Sequence, residues 1–173
     1  MRDPRGGRPA PAVRPMSRPR PPGLHGMTDD GDRMALLEPF VGEWRLETSL
    51  APPDGVRART VFEWALGGRF LVERSEVDVP EAPDGLCVVA AAPEGYLQHY
   101  FDSRGVVRLY AMTFDGRLWT LRREEADFSP LEFAQRYTGT VGDDGATIAG
   151  RWEIRHPGRD WETDFDLSYV RVG

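Results

Sequence analysis

Turn-forming residues interrupt this chain at short intervals, and their spacing restricts it to a fold built of short strands. Gly67-Gly68, Asp115-Gly116 and Pro157-Gly158 are typical of these breaks. Glycine supplies positive φ and aspartate supplies local backbone hydrogen bonds, as tight reversals require. Most breaks are too short for a crossover helix, so consecutive strands should pair antiparallel. Nine breaks predict ten strands, at 41–50, 57–66, 69–79, 86–92, 96–102, 105–114, 117–124, 132–141, 146–155 and 161–172.

Several of these strands alternate between apolar and polar residues. Phe62 and Trp64 share a face with Thr60, and Ile148 shares a face with Trp152. Such alternation indicates a sheet with one face on a core and the other in water. Ten strands in one open sheet would leave two unpaired edges, which closure removes. We therefore expect an all-β, up-and-down antiparallel barrel of about ten strands, with a two-sheet sandwich as the alternative.

A short helix is expected before the first strand, at Arg33–Glu38. Asp32 is a suitable N-cap, and Pro39 prevents further growth. The helix should pack Leu36 or Leu37 onto the barrel and close one end of it.

The chain divides into residues 1–26, expected to be a disordered tail, and residues 27–173, the barrel domain. The tail carries six Arg and one Asp among many Pro and Gly, with too few apolar residues for a core. The remainder carries 16 Arg against 27 acidic residues, which argues against nucleic acid as a partner.

Cellular location is inferred from the apolar runs and from cysteine usage. The longest apolar run, 86–92, is too short to cross a bilayer, so no membrane association is expected. Cys87 is the only cysteine, which rules out an internal disulfide and suits a cytoplasmic protein. Its apolar neighbours predict a small core residue rather than a nucleophile.

All 22 basic residues are Arg, and Lys and Asn are absent, which indicates a bacterial, GC-rich source.

The sequence contains no P-loop, nucleophile elbow, dinucleotide fingerprint or zinc-protease motif. None of His25, His99 and His156 has a partner at metal-ligand spacing, so we assign no catalytic residue and no metal site. Four consecutive strands do carry polar groups among aromatic ones. Side chains of this kind are costly inside a barrel unless they bond each other or a ligand. The candidate ligand-binding residues are His99, Arg108, Tyr110, Trp119, Arg123, Gln135 and Tyr137.

Three segments resemble an uncharacterised bacterial family of lipocalin-like, calycin-type barrels. Phe40-Val41-Gly42-Glu43-Trp44 is similar to the F-x-G-x-W opening of lipocalin-like proteins. Residues 98–105, and residues 150–153 with 161–172, look like recurring segments of that family. The resemblance covers about 33–172 and implies a ligand-binding barrel, without assigning an activity.

Two related families are more distant. Fatty-acid-binding proteins hold carboxylates with an Arg-x-Tyr pair in the last strand, where this chain has the reverse order, Tyr169-Val170-Arg171. Nitrobindins bind haem in a ten-stranded barrel through a His near the C-terminus. Of their early G-x-W-x-G-x-G motif this chain keeps only Gly42 and Trp44, and only His156 stands near its C-terminus.

The leading hypothesis is a carrier or sensor of a small, partly apolar molecule. Arg108 or Arg123 would anchor a negative or carbonyl group. The alternatives are a haem barrel acting on reactive nitrogen or oxygen species, and a ligand-free interaction module. In the last case an acid such as Glu73 or Asp164 would neutralise the arginines. The sequence leaves a homodimer open.

We predict that removing residues 1–26 leaves the melting temperature unchanged, because that segment has no apolar face to bury. Thermal denaturation of the full chain and of a variant beginning at Met27 tests this. A fall of several degrees on truncation would show that the segment packs on the barrel.

Overall fold

A computed structural model describes residues 27–50, 57–79 and 82–173, and the tail expected at 1–26 lies outside these ranges. The chain forms one α-helix (α1, Met27–Ala35), a 3-10 turn (Glu38–Phe40) and ten strands. The strands are β1 (Gly42–Thr48), β2 (Ala58–Ala65), β3 (Phe70–Val77), β4 (Gly85–Ala91), β5 (Tyr96–Asp102), β6 (Val107–Phe114), β7 (Leu118–Arg123), β8 (Ala134–Val141), β9 (Thr147–Arg155) and β10 (Glu162–Arg171).

The ten strands form a closed, all-antiparallel barrel. Each strand pairs with its neighbours in sequence, and β1 pairs with β10 to complete the ring. Trp44 of β1 lies opposite Arg171 of β10 at this junction. The predicted up-and-down barrel is thus confirmed, and the sandwich alternative is wrong.

The helix differs from the prediction at both ends. It spans Met27–Ala35 rather than 33–38, so Asp32 lies within it and is not its N-cap. Pro39 occupies the first turn of the 3-10 segment, where its missing N–H costs nothing. Leu37, between the two helical segments, is completely buried, whereas Leu36 is 55% exposed.

Aromatic side chains fill the barrel below this helical end. The Phe40 ring lies 4.7 Å from that of Phe114 and 5.0 Å from that of Trp119. The Trp44 indole N–H donates to the Phe40 carbonyl oxygen at 2.7 Å, which ties β1 to the 3-10 turn. The helical end is therefore a packed aromatic core.

Two glycines provide space for a large ring in the middle of the barrel. Gly139 and Gly150 are direct partners across β8 and β9. A Cβ at either position would overlap the side chain of Tyr137, which is 1% exposed. The missing side chains let this ring lie flat against the barrel wall.

We predict that Trp44→Ala lowers the free energy of unfolding by about 3–5 kcal/mol, because Trp44 is fully buried. Trp152 also faces the interior, but it is only half-buried, so Trp152→Ala should cost less. Urea denaturation of both variants measures the two losses. Near-native stability of Trp44→Ala would contradict the inward orientation of this side chain.

Candidate functional site

The site lies at the end of the barrel opposite the helix, where β6 and β8 begin and β7 ends. A cleft of about 360 Å³ opens there between the barrel rim and the loop 124–133. Arg108 and Arg123 lie on its barrel side, and Phe128, Pro130 and Phe133 lie on its loop side. Ser129 and Glu132 also line it, so the cleft combines two arginines and an apolar wall with one hydroxyl and one carboxylate.

The register decides which candidate residues face inward. Arg108 and Tyr110 lie opposite Tyr100 and Gln98, and Arg123 lies opposite Gln135, all on the inner surface. Trp119 and Tyr137 also face inward, but both are 1% exposed and belong to the packed core. Of the seven candidates, only Arg108 and Arg123 line the cleft.

We expected all seven candidate residues to face the interior, but His99 does not. It lies opposite Val88 and Leu109 on the outer surface, with its ring 6.3 Å from that of Phe128. Its strand neighbours Leu97 and Phe101 are also outward and about one-third exposed. Apolar residues on both faces of β5 make alternation alone insufficient to orient that strand.

Arg123 is neutralised by a buried ion pair with Asp127. Its Nε donates to Asp127 Oδ2 at 2.7 Å, and its second terminal nitrogen donates to Oδ1 at 3.0 Å. Both side chains are at most 5% exposed. Hydrogen bonds from Arg123 hold the pKa of the Asp127 carboxyl well below its usual range. The alternative that a nearby acid neutralises the arginines therefore holds for Arg123, although the acid is Asp127 and not Glu73 or Asp164.

Asp127 also fixes the loop to the barrel wall. The backbone N–H of Leu109 in β6 donates to Asp127 Oδ2 at 3.0 Å, and the N–H of Ser129 donates to Oδ1 at 3.2 Å. The Arg123 guanidinium also donates to the Ser129 hydroxyl at 3.2 Å. One carboxylate therefore joins the end of β7, the edge of β6 and the loop.

Arg108 has a different environment. Its guanidinium donates to Gln135 Oε1 at 2.5 Å and lies 5.4 Å from the centre of the Phe133 ring. The Tyr110 hydroxyl donates to the same Gln135 oxygen at 3.0 Å. Among the described residues, no Asp or Glu forms an ion pair with Arg108. Gln135 orients this cation without neutralising it.

Sequence reasoning missed the loop residues Asp127, Phe128 and Phe133. The signal that could have found them is the interior placement of Arg123. A buried guanidinium requires an acid nearby, and Asp127 is the acid four residues further along. The interval between β7 and β8 is also long for a hairpin, as is common for functional loops.

His156 lies apart from the Arg108 cleft. It is exposed in the turn between β9 and β10, with its ring 5.7 Å from that of Phe133. It borders a separate surface cleft with Arg155, Arg159 and the other side of Phe133. No group of three or more His, Cys, Asp or Glu side chains suited to a metal occurs in the described part of the chain.

A second polar cluster lies deep in the interior, around Glu73. Its carboxylate accepts a hydrogen bond from the Thr60 hydroxyl at 3.3 Å, and Cys87 is its direct partner on β4. Burial raises the pKa of Glu73 to about 7 and raises the pKa of the Cys87 thiol. Cys87 is 5% exposed, which confirms it as a core residue.

Comparison with known proteins supports the fold and no more specific class. The closed, ten-stranded antiparallel barrel is an architecture suited to binding ligands in its interior or mouth. One solved structure with this architecture is that of Rv2717c from M. tuberculosis, at 14% identity and a TM-score of 0.57. The match covers 82% of this chain and 98% of that one.

Sequence comparison adds no family. No family model matches the chain, and no curated protein matches it. The helices in the described ranges are too short or too polar to span a bilayer.

We predict that Glu73 makes the barrel less stable as pH rises from about 4.5 to about 7. The folded state keeps this proton up to about pH 7, whereas an ordinary Glu releases it near 4.5. The unfolded state therefore binds fewer protons in this window, and the free energy of unfolding falls by on the order of 3 kcal/mol.

Urea denaturation across this pH range, on the wild type and on Glu73→Gln, isolates the contribution of Glu73. The stability of the wild type relative to the variant should decline through the window and then level off. A difference that is independent of pH would contradict the buried, protonated state.

Proposed function

We propose that this chain binds a small, partly apolar molecule with an anionic group, and that Arg108 holds that group. The observation that carries this proposal is the contrast between the two arginines of the cleft. Arg123 is paired with Asp127, whereas Arg108 contacts the neutral Gln135 amide and the Phe133 ring and forms no ion pair with a described residue. A half-buried guanidinium without a counter-ion is costly, and a carboxylate, sulfonate or phosphate from a ligand would offset that cost.

The shape of the cleft supports a ligand with an apolar body. Its volume of about 360 Å³ lies at the lower end of the range for small-molecule sites. Phe128, Pro130, Phe133 and Val107 line it together with the arginines. Such a lining would bury rings or short aliphatic chains while Arg108 binds the charged end.

The resemblance to lipocalin-like barrels agrees with this proposal. Lipocalin-like barrels, which the chain resembles in three segments, usually hold a small molecule. The shared ten-stranded fold supports that reading at the level of architecture. Ser129 and Glu132 also line the cleft. The role proposed here, a carrier or a sensor, depends on Arg108 as the anchor of a charged group.

Two fluorescent probes of similar size test the charge requirement: 1-anilinonaphthalene-8-sulfonate, which is anionic, and N-phenyl-1-naphthylamine, which is neutral. We predict that the wild type binds the sulfonate more tightly. Arg108→Gln should weaken sulfonate binding by roughly tenfold to a hundredfold, as expected for one lost charged hydrogen bond. Binding of the neutral probe should change little.

Two further variants serve as controls. Arg108→Lys keeps the positive charge and should retain part of the preference for the sulfonate. Arg45→Gln removes an exposed arginine on β1, which pairs with Glu47, and should have no effect. Equal sulfonate binding by the wild type and by Arg108→Gln would overturn the proposal.

A further inference from the structure

Two clefts meet at the ring of Phe133. The Arg108 cleft lies on one side, and a second cleft of about 390 Å³, bordered by the turn between β9 and β10, lies on the other. The centre of the Phe133 ring is 5.4 Å from the guanidinium carbon of Arg108, which lines the first cleft. It is 5.7 Å from the centre of the His156 ring, which lines the second. Among the described lining residues, Phe133 alone borders both clefts, so its side chain is the wall between them.

The backbone around this ring is fixed to the barrel. The Phe133 carbonyl oxygen accepts a hydrogen bond from the Arg123 guanidinium at 3.4 Å. The next residue, Ala134, begins β8 and lies opposite Arg155 of β9. The Phe133 side chain itself is half-buried and lies outside the strands. We therefore expect that Phe133→Ala removes the wall without moving the chain.

The second cleft is suited to an apolar group. Leu131, Ala134 and Pro157 supply apolar surface there, together with the second face of the Phe133 ring. Its Glu124 and Arg155 side chains neutralise each other, because the Arg155 guanidinium donates to the Glu124 carboxylate at 3.0 Å. The other lining residues stand in the exposed turn and are His156, Gly158 and Arg159. This space can therefore receive part of an aliphatic chain or a ring.

We propose that the Phe133 ring sets the length of the ligand and restricts it to an anion with a short apolar body. This inference rests on the function proposed above, in which Arg108 holds the anionic group. A group of the size of water occupies about 30 Å³ in a liquid, so the cleft of 360 Å³ holds roughly twelve non-hydrogen atoms. A longer chain meets the Phe133 ring or leaves the cleft for water, and its additional carbons contribute nothing to binding.

Without the ring, a chain held at Arg108 can continue into the second cleft. The two clefts together have about twice the volume of the first. Each CH₂ group that is fully removed from water strengthens binding about fourfold. Four additional carbons should therefore strengthen binding on the order of a hundredfold when fully buried, and on the order of tenfold when half-buried.

Octane-1-sulfonate and dodecane-1-sulfonate test this proposal. Each is titrated into the protein by isothermal titration calorimetry, below its micelle-forming concentration. The wild type should bind the two compounds with similar affinity. Phe133→Ala should bind the dodecyl compound roughly tenfold to a hundredfold more tightly than the octyl compound. Because the removed ring is half-buried and outside the strands, the variant should keep the circular dichroism of the barrel.

Phe128→Ala is the matched control, because Phe128 lines the Arg108 cleft and does not border the second one. This variant loses a ring of the same size but should still bind the two sulfonates with similar affinity. A Phe133→Ala variant without a preference for the longer chain would overturn the inference and leave the proposed function standing. A wild type that already has this preference would do the same.

Two other outcomes concern the proposed function itself. Octane-1-sulfonate that fails to bind the wild type would overturn it, and so would octane-1-sulfonate that binds Arg108→Gln equally well. In either case Arg108 does not anchor the anion, and the inference about chain length falls with it.

Discussion

Closure of ten strands into one ring creates an interior volume that the side chains must fill, and the rest of the structure depends on this constraint. A ring of eight strands is just wide enough for side chains to fill its interior, and ten strands enclose more space. This chain fills one half of that space with aromatic rings and leaves a cleft at the other end. Phe40, Trp44, Trp119 and Tyr137 occupy the half below the helix, and two paired glycines give Tyr137 room to lie against the wall.

Three polar or charged side chains lie in the interior next to the aromatic core. Each has a different environment that offsets the free-energy cost of its burial. Arg123 and Asp127 neutralise each other and also anchor the loop. Burial raises the pKa of Glu73 to about 7, and its carboxyl accepts a hydrogen bond from the Thr60 hydroxyl. Arg108 contacts Gln135 and Phe133 and forms no ion pair with a described residue. Because Arg123 has a counter-ion and Arg108 has none among the described residues, Arg108 is the cation of the cleft that remains without an acidic partner.

Much of the fold follows from local sequence signals, because each turn is encoded by a few residues beside it. All ten strands lie where the turn residues predicted them. The orientation of individual strands is less accessible, since β5 carries apolar residues such as Leu97 and Phe101 on its outer side and polar Gln98 on its inner side. The apolar residues of β5 therefore do not show which of its faces meets the core. The spacing of Arg123 and Asp127 offered a signal for their ion pair, but the contact of Asp127 with β6 could not be predicted, because it depends on a loop that folds back onto that strand.

The pairing of β1 with β10 has a consequence for how the chain folds. Each of the other nine pairings joins strands that are adjacent in sequence, so they can form as local hairpins at little entropic cost. Joining Trp44 to Arg171 instead requires almost the whole domain to be in place. Until then the molecule is a curved sheet with two unpaired edges, each able to recruit a foreign strand. Pairing of β1 with β10 therefore removes both open edges at once, and the same contact that completes the barrel protects the chain from aggregation.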